Sequence, residues 1–470
     1  MTVIFAYLCF VPIAALCFAR SPTRTAILLV LLGGWWLLPV ARYAAGPPGT
    51  DFHWWVSGIA LPSDLLLTKA WIPPLVAFAG AALREPTRLR AWRPAAIDLP
   101  MAAWCLWPLV NGLGGTANPS PWLAFLYVSG TWGLPWLIGR VWLADRESCL
   151  ALIRAIALSG LAALPIAIIE GVRPAMLYGL VYGPHPYRAD GVERYVGYRP
   201  IGFLEHGNLY GLWIAIAAFA AVWLRRNGHG AHRHWLILAI VNVVVALASQ
   251  SAGAILLLCL ALVLVAIWRL PIFVPAAVIA GALLLLVAAV HLSGVLPLQS
   301  IARSAAGEQM LAAMRRIGRG SFLWRVSQDT KTLAGIAAHP ILGTGHWDWW
   351  RPYGTRPWGQ MLLLIGQYGL AGLLLAWGAL LAACVATFAR LHEWGDRLAG
   401  DAALPLAIIV LLALADATLN AFFFSPAILA AGAIAVKPMP WNSSGRTSRA
   451  PAASAPFPTP GRPDRVRRRG

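Results

Sequence analysis

The chain has 470 residues, of which 59% are hydrophobic and only 12% charged, about half the charge of an ordinary soluble domain. Its 37 Lys and Arg against 18 Asp and Glu give a formal net charge of +19. These figures exclude a soluble enzyme, and with no recognised nucleic-acid module beside the charge they exclude a nucleic-acid partner; basic loops between apolar spans account for the excess.

A helix needs about 20 apolar residues to cross a bilayer. Runs of that kind predict spans at Thr2–Ala19, Thr25–Ala45, Asp64–Leu83, Ala96–Leu113, Pro119–Leu143, Ser148–Glu170 and Gly202–Leu224. They continue at Trp235–Ser249, Ala252–Trp268, Pro271–Val290, Trp358–Phe388, Ala402–Leu419 and Ala421–Lys437. The expected fold is therefore all-α, a polytopic membrane domain over 1–437 with about 12 to 13 transmembrane helices and a large periplasmic loop. The first run lacks a basic start and a small-residue cleavage site, so it reads as a retained helix. Six cysteines (Cys9, Cys17, Cys105, Cys149, Cys259, Cys384) fall in or beside apolar runs without a CxxC pair, which indicates neither a zinc site nor a disulfide framework.

Arginine alternates between loops. Arg20 and Arg24, then Arg84, Arg88, Arg90 and Arg93, then Arg140 and Arg146 mark every second one. Arg225, Arg226 and Arg233, then Arg269, then Arg390 and Arg397 continue the pattern. The positive-inside rule puts these loops in the cytoplasm and the long loops 171–201 and 291–357 outside. Within the second loop, 305–318 has helical spacing, with Met310, Leu311, Met314 and Ile317 on one side and arginines on the other, as in a helix lying on a membrane surface. Residues 438–470 are rich in Pro, Ser and Ala with seven arginines, and read as a disordered basic cytoplasmic tail.

Polar residues gather at the ends of the two external loops. The first gathering is Arg194-Tyr-Val-Gly-Tyr-Arg199-Pro-Ile-Gly-Phe-Leu-Glu205-His206-Gly-Asn208. Arg, Glu, His and Asn are costly at a membrane boundary unless they face a cavity or one another. The second is Gly318-Arg319 through Arg325, followed by His339-Pro-Ile-Leu-Gly343-Thr-Gly345-His346-Trp-Asp348-Trp-Trp, where glycine turns permit close backbone approach and tryptophans offer flat faces. Arg356 precedes Gly366-Gln-Tyr-Gly369-Leu-Ala-Gly372, whose spacing suits close helix packing. Asp416 and Asn420 add an acid and an amide near a span end. There is no P-loop, dinucleotide fingerprint, HExxH, GxSxG or Asp-x-Asp pair, and no cofactor or metal is expected.

In the order of these stretches the chain resembles the O-antigen ligase and O-antigen polymerase superfamily of bacterial envelope enzymes. The resemblance covers roughly 140–435. It rests on Gly139-Arg140, Arg199-Pro-Ile-Gly-Phe…Asn208, Ser249-Gln-Ser-Ala-Gly253, Arg325…His339-Pro-Ile-Leu-Gly-Thr-Gly345, Gly369-Leu-Ala-Gly372 and Asp416…Asn420. It implies an inner-membrane enzyme that takes a glycan from a polyprenyl-pyrophosphate carrier at the periplasmic face. The acceptor would be another glycan or lipid A–core. The transfer would need no metal: Arg199 and Arg325 hold the pyrophosphate and a histidine is the base. The family's own histidine position falls here on Pro357 or Trp358, so the base is assigned to His346 on the same loop. His206, Asn208, Arg319, His339, Asp348 and Arg356 are assigned to substrate binding. The competing reading is a non-catalytic transporter or export component, which would show intramembrane charges along a central path; the spans carry few, such as Glu170 and Asp416.

Overall fold

The structure, a computed structural model, describes residues 3–41, 58–59, 67–114, 120–174, 176–186, 193, 196–228, 232–267, 270, 279, 281–283, 286, 289–290, 304–316, 321–355, 357–394 and 401–435. The chain divides into one unit of Met1–Val436 and another of Lys437–Gly470. The predicted tail 438–470 and most of the predicted span Pro271–Val290 lie outside the described residues.

The described chain is all-α. Its helices are α1 (Val3–Arg20), α2 (Thr23–Leu37), α3 (Ile72–Arg84), α4 (Pro86–Ala91), α5 (Leu99–Asn111), α6 (Pro121–Val128), α7 (Leu134–Trp142), α8 (Arg146–Val172) and α9 (Met176–Tyr182). Then follow α10 (Gly207–Arg226), α11 (His232–Ala248), α12 (Ala252–Ile267), α13 (Ala305–Arg316), α14 (Ser321–Ala338), α15 (Gln360–Trp394), α16 (Ala403–Leu419) and α17 (Ser425–Ile434). Among the described residues the β pairing is a single isolated bridge, Glu193 to Tyr198.

Four helices, Val3–Arg20, Arg146–Val172, Gly207–Arg226 and the Gln360–Arg390 part of α15, are long and apolar enough to cross a membrane. Several other predicted spans are shorter as helices, and the cause is local. The run from Asp64 becomes helical only at Ile72, because Thr68 to Trp71 form a turn (Trp71 N–H to Thr68 carbonyl, 3.1 Å) and Pro73 and Pro74 occupy the first helical turn. Pro119–Leu143 is divided by a π turn at Ser129–Gly133. Pro135 has no N–H to return to the Thr131 carbonyl, so the ladder widens there. Beyond α16 the backbone is non-helical over 420–424 before α17, a helix of 10 residues. That is about 15 Å of rise, half the hydrocarbon thickness.

Packing centres on α10. Of its most apolar window 89% is buried, against 22% for α1, so α10 is the inner post and α1 a peripheral helix. It packs against α8, α11 and α12. Trp213 on α10 lies 5.0 Å from Trp35, 6.0 Å from Trp36 and 5.7 Å from Phe424, ring centre to ring centre, which ties α2 and the 420–424 segment to the post.

The two ends of the bundle differ. At one end Arg226 donates to the Val265 carbonyl (2.8 Å), Arg390 to the Ile434 carbonyl (2.7 Å) and Arg84 to the Ser21 carbonyl (2.9 Å), each guanidinium closing a helix C-terminus. Arg140 also lies there. Its Nε and Nη2 grip both oxygens of Asp98 at 2.7 and 3.0 Å, and Trp136 Nε1 donates to the same carboxylate.

Next to Arg140, α7 crosses α17 with backbones in near contact. A Cβ on Gly139 would overlap the Leu429 carbonyl, and one on Gly432 would overlap that of Trp136. Because backbone cannot yield as a side chain can, Gly432→Ala is expected to cost about 1–3 kcal/mol. Gly378→Ala on α15, with nothing within 4 Å of the new methyl, is expected to be neutral or slightly stabilising. Thermal unfolding of the two variants in detergent checks the contrast, and equal midpoints would contradict the crossing.

Candidate functional site

The other end of the bundle is where helices stop inside the protein and polar side chains take over from the backbone ladder. The last turn of α8 supplies Glu170, fully buried, whose carboxylate accepts from the backbone N–H of Ile201 (2.8 Å) and Gly202 (2.7 Å). The Tyr198 N–H donates to the Gly171 carbonyl at 3.1 Å, and at Gly197 (φ 59°) a side chain would collide with that same carbonyl. Residues 197–202 are thereby fixed on the end of α8, and Arg199 with them.

Arg199 is 4% exposed. Its aliphatic stem lies across Gly207, where any Cβ would overlap the Arg199 Cγ and Cδ, so a glycine at the first position of α10 makes room for the arginine. Nη1 donates to Asn208 Oδ1 at 2.8 Å and Nη2 to the Gln250 carbonyl at 2.9 Å. Gln250 turns the chain between α11 and α12 in the left-handed region (φ 50°), a strained conformation for a residue other than glycine. Its side-chain amide holds it there, donating to the Val196 carbonyl (2.7 Å) and accepting from the Val196 N–H (3.3 Å).

Arg325 comes from α14, far along the chain, and reaches the same place. Its Nη1 donates to Asn420 Oδ1 at 2.9 Å, and its guanidinium lies 5.2 Å from the Trp358 ring centre, a cation–π contact. Asn420 ends α16. Its Nδ2 donates to Asp416 Oδ1 (2.8 Å), which aims Oδ1 at the arginine; the same Oδ1 accepts from Asn208 Nδ2 at 3.5 Å. Arg199, Asn208, Asn420 and Arg325 therefore form one chain of contacts. The Asn208, Gln250 and Asn420 acceptors are neutral oxygens that orient the two guanidiniums.

His206 belongs to this cluster. It caps α10 by accepting the Asn208 N–H on Nδ1 (3.0 Å) and stacks on Phe422 at 5.4 Å. With the Nδ1 lone pair so engaged, the neutral ring carries its proton on Nε2. Beside it, Glu205 pairs with Lys69 (3.1 Å), both buried, and Lys69 also donates to the Phe203 carbonyl (3.0 Å). Lys69 sits in the turn ahead of α3.

The remaining predicted residues are on another loop or lie outside the described residues. The loop bearing His339, His346 and Asp348 docks on a break in α15 at Gly369 (φ 73°, ψ 177°). The Thr344 and Gly345 N–H groups donate to the Gly366 and Gln367 carbonyls (2.9 Å each), and the Leu370 N–H returns to the Pro340 carbonyl (2.8 Å). Gly343 and Gly369 thus approach each other's backbone rather than a ligand, and Gly369 breaks its helix where the sequence suggested helix packing. Asp348 pairs with Arg351 at 3.2 Å, His339 is exposed, and the His346 N–H is held by Thr344 Oγ1 (3.1 Å). No described hydrogen bond or ion pair joins these three side chains to the arginine cluster. Arg319 and Arg356 lie outside the described residues. Arg140 is engaged with Asp98 at the opposite end.

Three participants escaped the list of candidate site residues. Asn420 was signalled by Asp416 four residues before it, and Trp358 only through the resemblance described above. Gln250 stood within the Ser249–Gly253 stretch, but its side-chain type gave no signal of a role played through the main-chain carbonyl. Among the described residues, no group of three or more His, Cys, Asp or Glu is placed to hold a metal ion. No protein-family model matches the chain, and neither does any curated protein.

A double-mutant cycle tests the contact chain. Arg325→Ala with Asn420→Ala is expected to show a coupling of about 1 kcal/mol or more in thermal unfolding. Arg325→Ala with His346→Ala is expected to be additive within about 0.5 kcal/mol. The reverse ranking would mean that the network runs through the 339–348 loop.

Proposed function

We propose that the chain is a multi-pass protein of a bacterial inner membrane, a glycosyltransferase of the O-antigen ligase and polymerase type. It moves glycan from a polyprenyl-pyrophosphate carrier to an acceptor glycan or to lipid A–core at the periplasmic face. The observation that carries this reading is the meeting of Arg199 and Arg325, from distant parts of the chain, on two asparagine amides. Guanidinium forks match phosphate oxygens in a bidentate way and offset the charge that develops on a departing pyrophosphate.

In the proposed step an acceptor hydroxyl oxygen bonds to the anomeric carbon while the bond from that carbon to the pyrophosphate oxygen breaks. The electron pair leaves with the carrier pyrophosphate, and the hydroxyl proton passes to a base. His346 is the proposed base. His206 is nearer the arginines in the contact chain, but its Nδ1 is occupied by the Asn208 N–H, so its ring suits offering a hydrogen bond from Nε2–H rather than accepting a proton. Trp358, at the family's histidine position, supports Arg325 by its ring face. A polymerase for exopolysaccharide or capsule fits that substitution better than a lipid A–core ligase.

Polymer synthesis in a deletion strain complemented at matched protein levels tests the chemistry. Arg199→Lys and Arg325→Lys should each lower output about tenfold or more, because a point charge loses the second charge-assisted hydrogen bond. Full output from both would remove the arginines from the mechanism. Full output from His346→Ala with loss in His206→Ala would transfer the base to His206.

The orientation has its own test. Ala306 is exposed on α13, within the loop 291–357. In a background without other reactive cysteines, Ala306→Cys should react with an impermeant thiol reagent from outside, and Ser454→Cys only after the membrane is opened. Labelling of Ala306→Cys solely from the cytoplasm would invert the proposed topology.

A further inference from the structure

A second feature lies at the basic end of the bundle, away from the arginine pair. Between α8 and α11 runs a groove of about 440 Å³, lined by Arg154, Leu158, Leu161, His234, Trp235, Ile237 and Leu238. That volume is in the range of small-molecule sites, about 300–1,000 Å³. Its lining is ordered along both helices. They start at the same end, α8 at Arg146 and α11 at His232, and pack against each other. On α8 the cation Arg154 comes first, and Leu158 and Leu161 follow one and two turns further from the start. On α11 His234 comes first, and Ile237 and Leu238 follow by a turn. Both walls thus change from nitrogen-bearing to apolar in the same direction.

We propose that this groove holds one anionic phospholipid of the leaflet at the basic end. Its phosphate sits at Arg154 and His234, and an acyl chain lies along Leu158, Leu161, Ile237 and Leu238. A phospholipid in that leaflet has the same order of charge and hydrocarbon, head outward and chain toward the midplane. The nearby Arg225, Arg226 and Arg233 make that end attractive to an anionic head group rather than a zwitterionic one. Trp235, half-buried on the rim, is an amphipathic ring of the kind that lies at head-group level. Leu158 and Leu161 are 49% and 48% exposed, so an acyl chain would cover surface that the protein itself leaves open. The proposal rests on the membrane reading above but not on the glycosyl-transfer chemistry.

Native mass spectrometry of the full-length protein, titrated in detergent with phosphatidylglycerol or phosphatidylcholine, tests it. Wild type is expected to retain one phosphatidylglycerol with about fivefold preference, the effect of one interfacial cation. Arg154→Gln with His234→Gln should abolish the preference. Leu161→Trp, which keeps both head-group ligands and fills the groove, should lower phosphatidylglycerol occupancy; it keeps the proposal testable should the charge variant not fold. Equal retention of the two lipids by wild type would overturn the proposal, as would a preference unchanged in both variants. A dimer that Leu161→Trp dissociates would assign the groove to a second copy and overturn it too. Loss of the protein from carbonate-washed membranes would defeat the membrane reading itself, whereas retained protein without lipid preference defeats only the groove.

Discussion

Inside an apolar body, a backbone N–H or carbonyl released where a helix stops has no water to turn to, and leaving it unpaired costs several kcal/mol. Much of the polar architecture of this protein follows from that constraint. Glu170 is buried at the end of α8 because the Ile201 and Gly202 amides need an acceptor. The 343–345 turn is pressed onto α15 because the Gly369 break frees the Gly366 and Gln367 carbonyls. At the end of α16 the Asn420 carbonyl accepts the Gln360 N–H, and Gln360 Nε2 reaches on to the Phe422 carbonyl. The bundle is therefore held at one end by side chains that repair interruptions, and the arginine pair sits among those repairs.

This origin explains the form of the cluster. Arg199 and Arg325 are aimed by amides whose own orientation is fixed by something else. Asp416 turns Asn420, and Asn420 receives both Arg325 and Asn208. A carboxylate in place of either amide would bind the cations more tightly and weaken their field toward a ligand. Two amide bridges bring both guanidiniums into one network, with the Asp416 carboxyl behind Asn420.

How much of this could be read from the chain alone depends on what each residue contributes. The α8 and α10 boundaries were legible to within a few residues because apolar content and helical backbone coincide there. They part company around Ile72 and over 420–424, where proline, turn hydrogen bonds and a non-helical segment interrupt an unbroken apolar run. Hydropathy reports what a segment can be buried against, not whether its backbone is helical. At the site, Arg199, Asn208 and Arg325 stood out as polar residues in apolar company. Gln250 could not, because its contribution is a carbonyl presented by a φ of 50°. The Gly343-Thr-Gly345 glycines looked like a ligand cradle. Close backbone approach was the right physics, but the approaching partner is the broken helix.

The break at Gly369 carries one further consequence, for exchange kinetics. In an uninterrupted helix the amides of Leu370 and Ala371 would be protected by carbonyls one turn earlier in the same helix. Here they are bonded instead to the carbonyls of Pro340 and Ile341, at 2.8 and 3.3 Å. Their protection against deuterium is therefore set by how often the 340–345 segment lifts away, not by fraying of α15. Two amides in the middle of a long apolar helix become a clock for a loop, and anything that steadies that loop would slow them while leaving the rest of α15 unchanged.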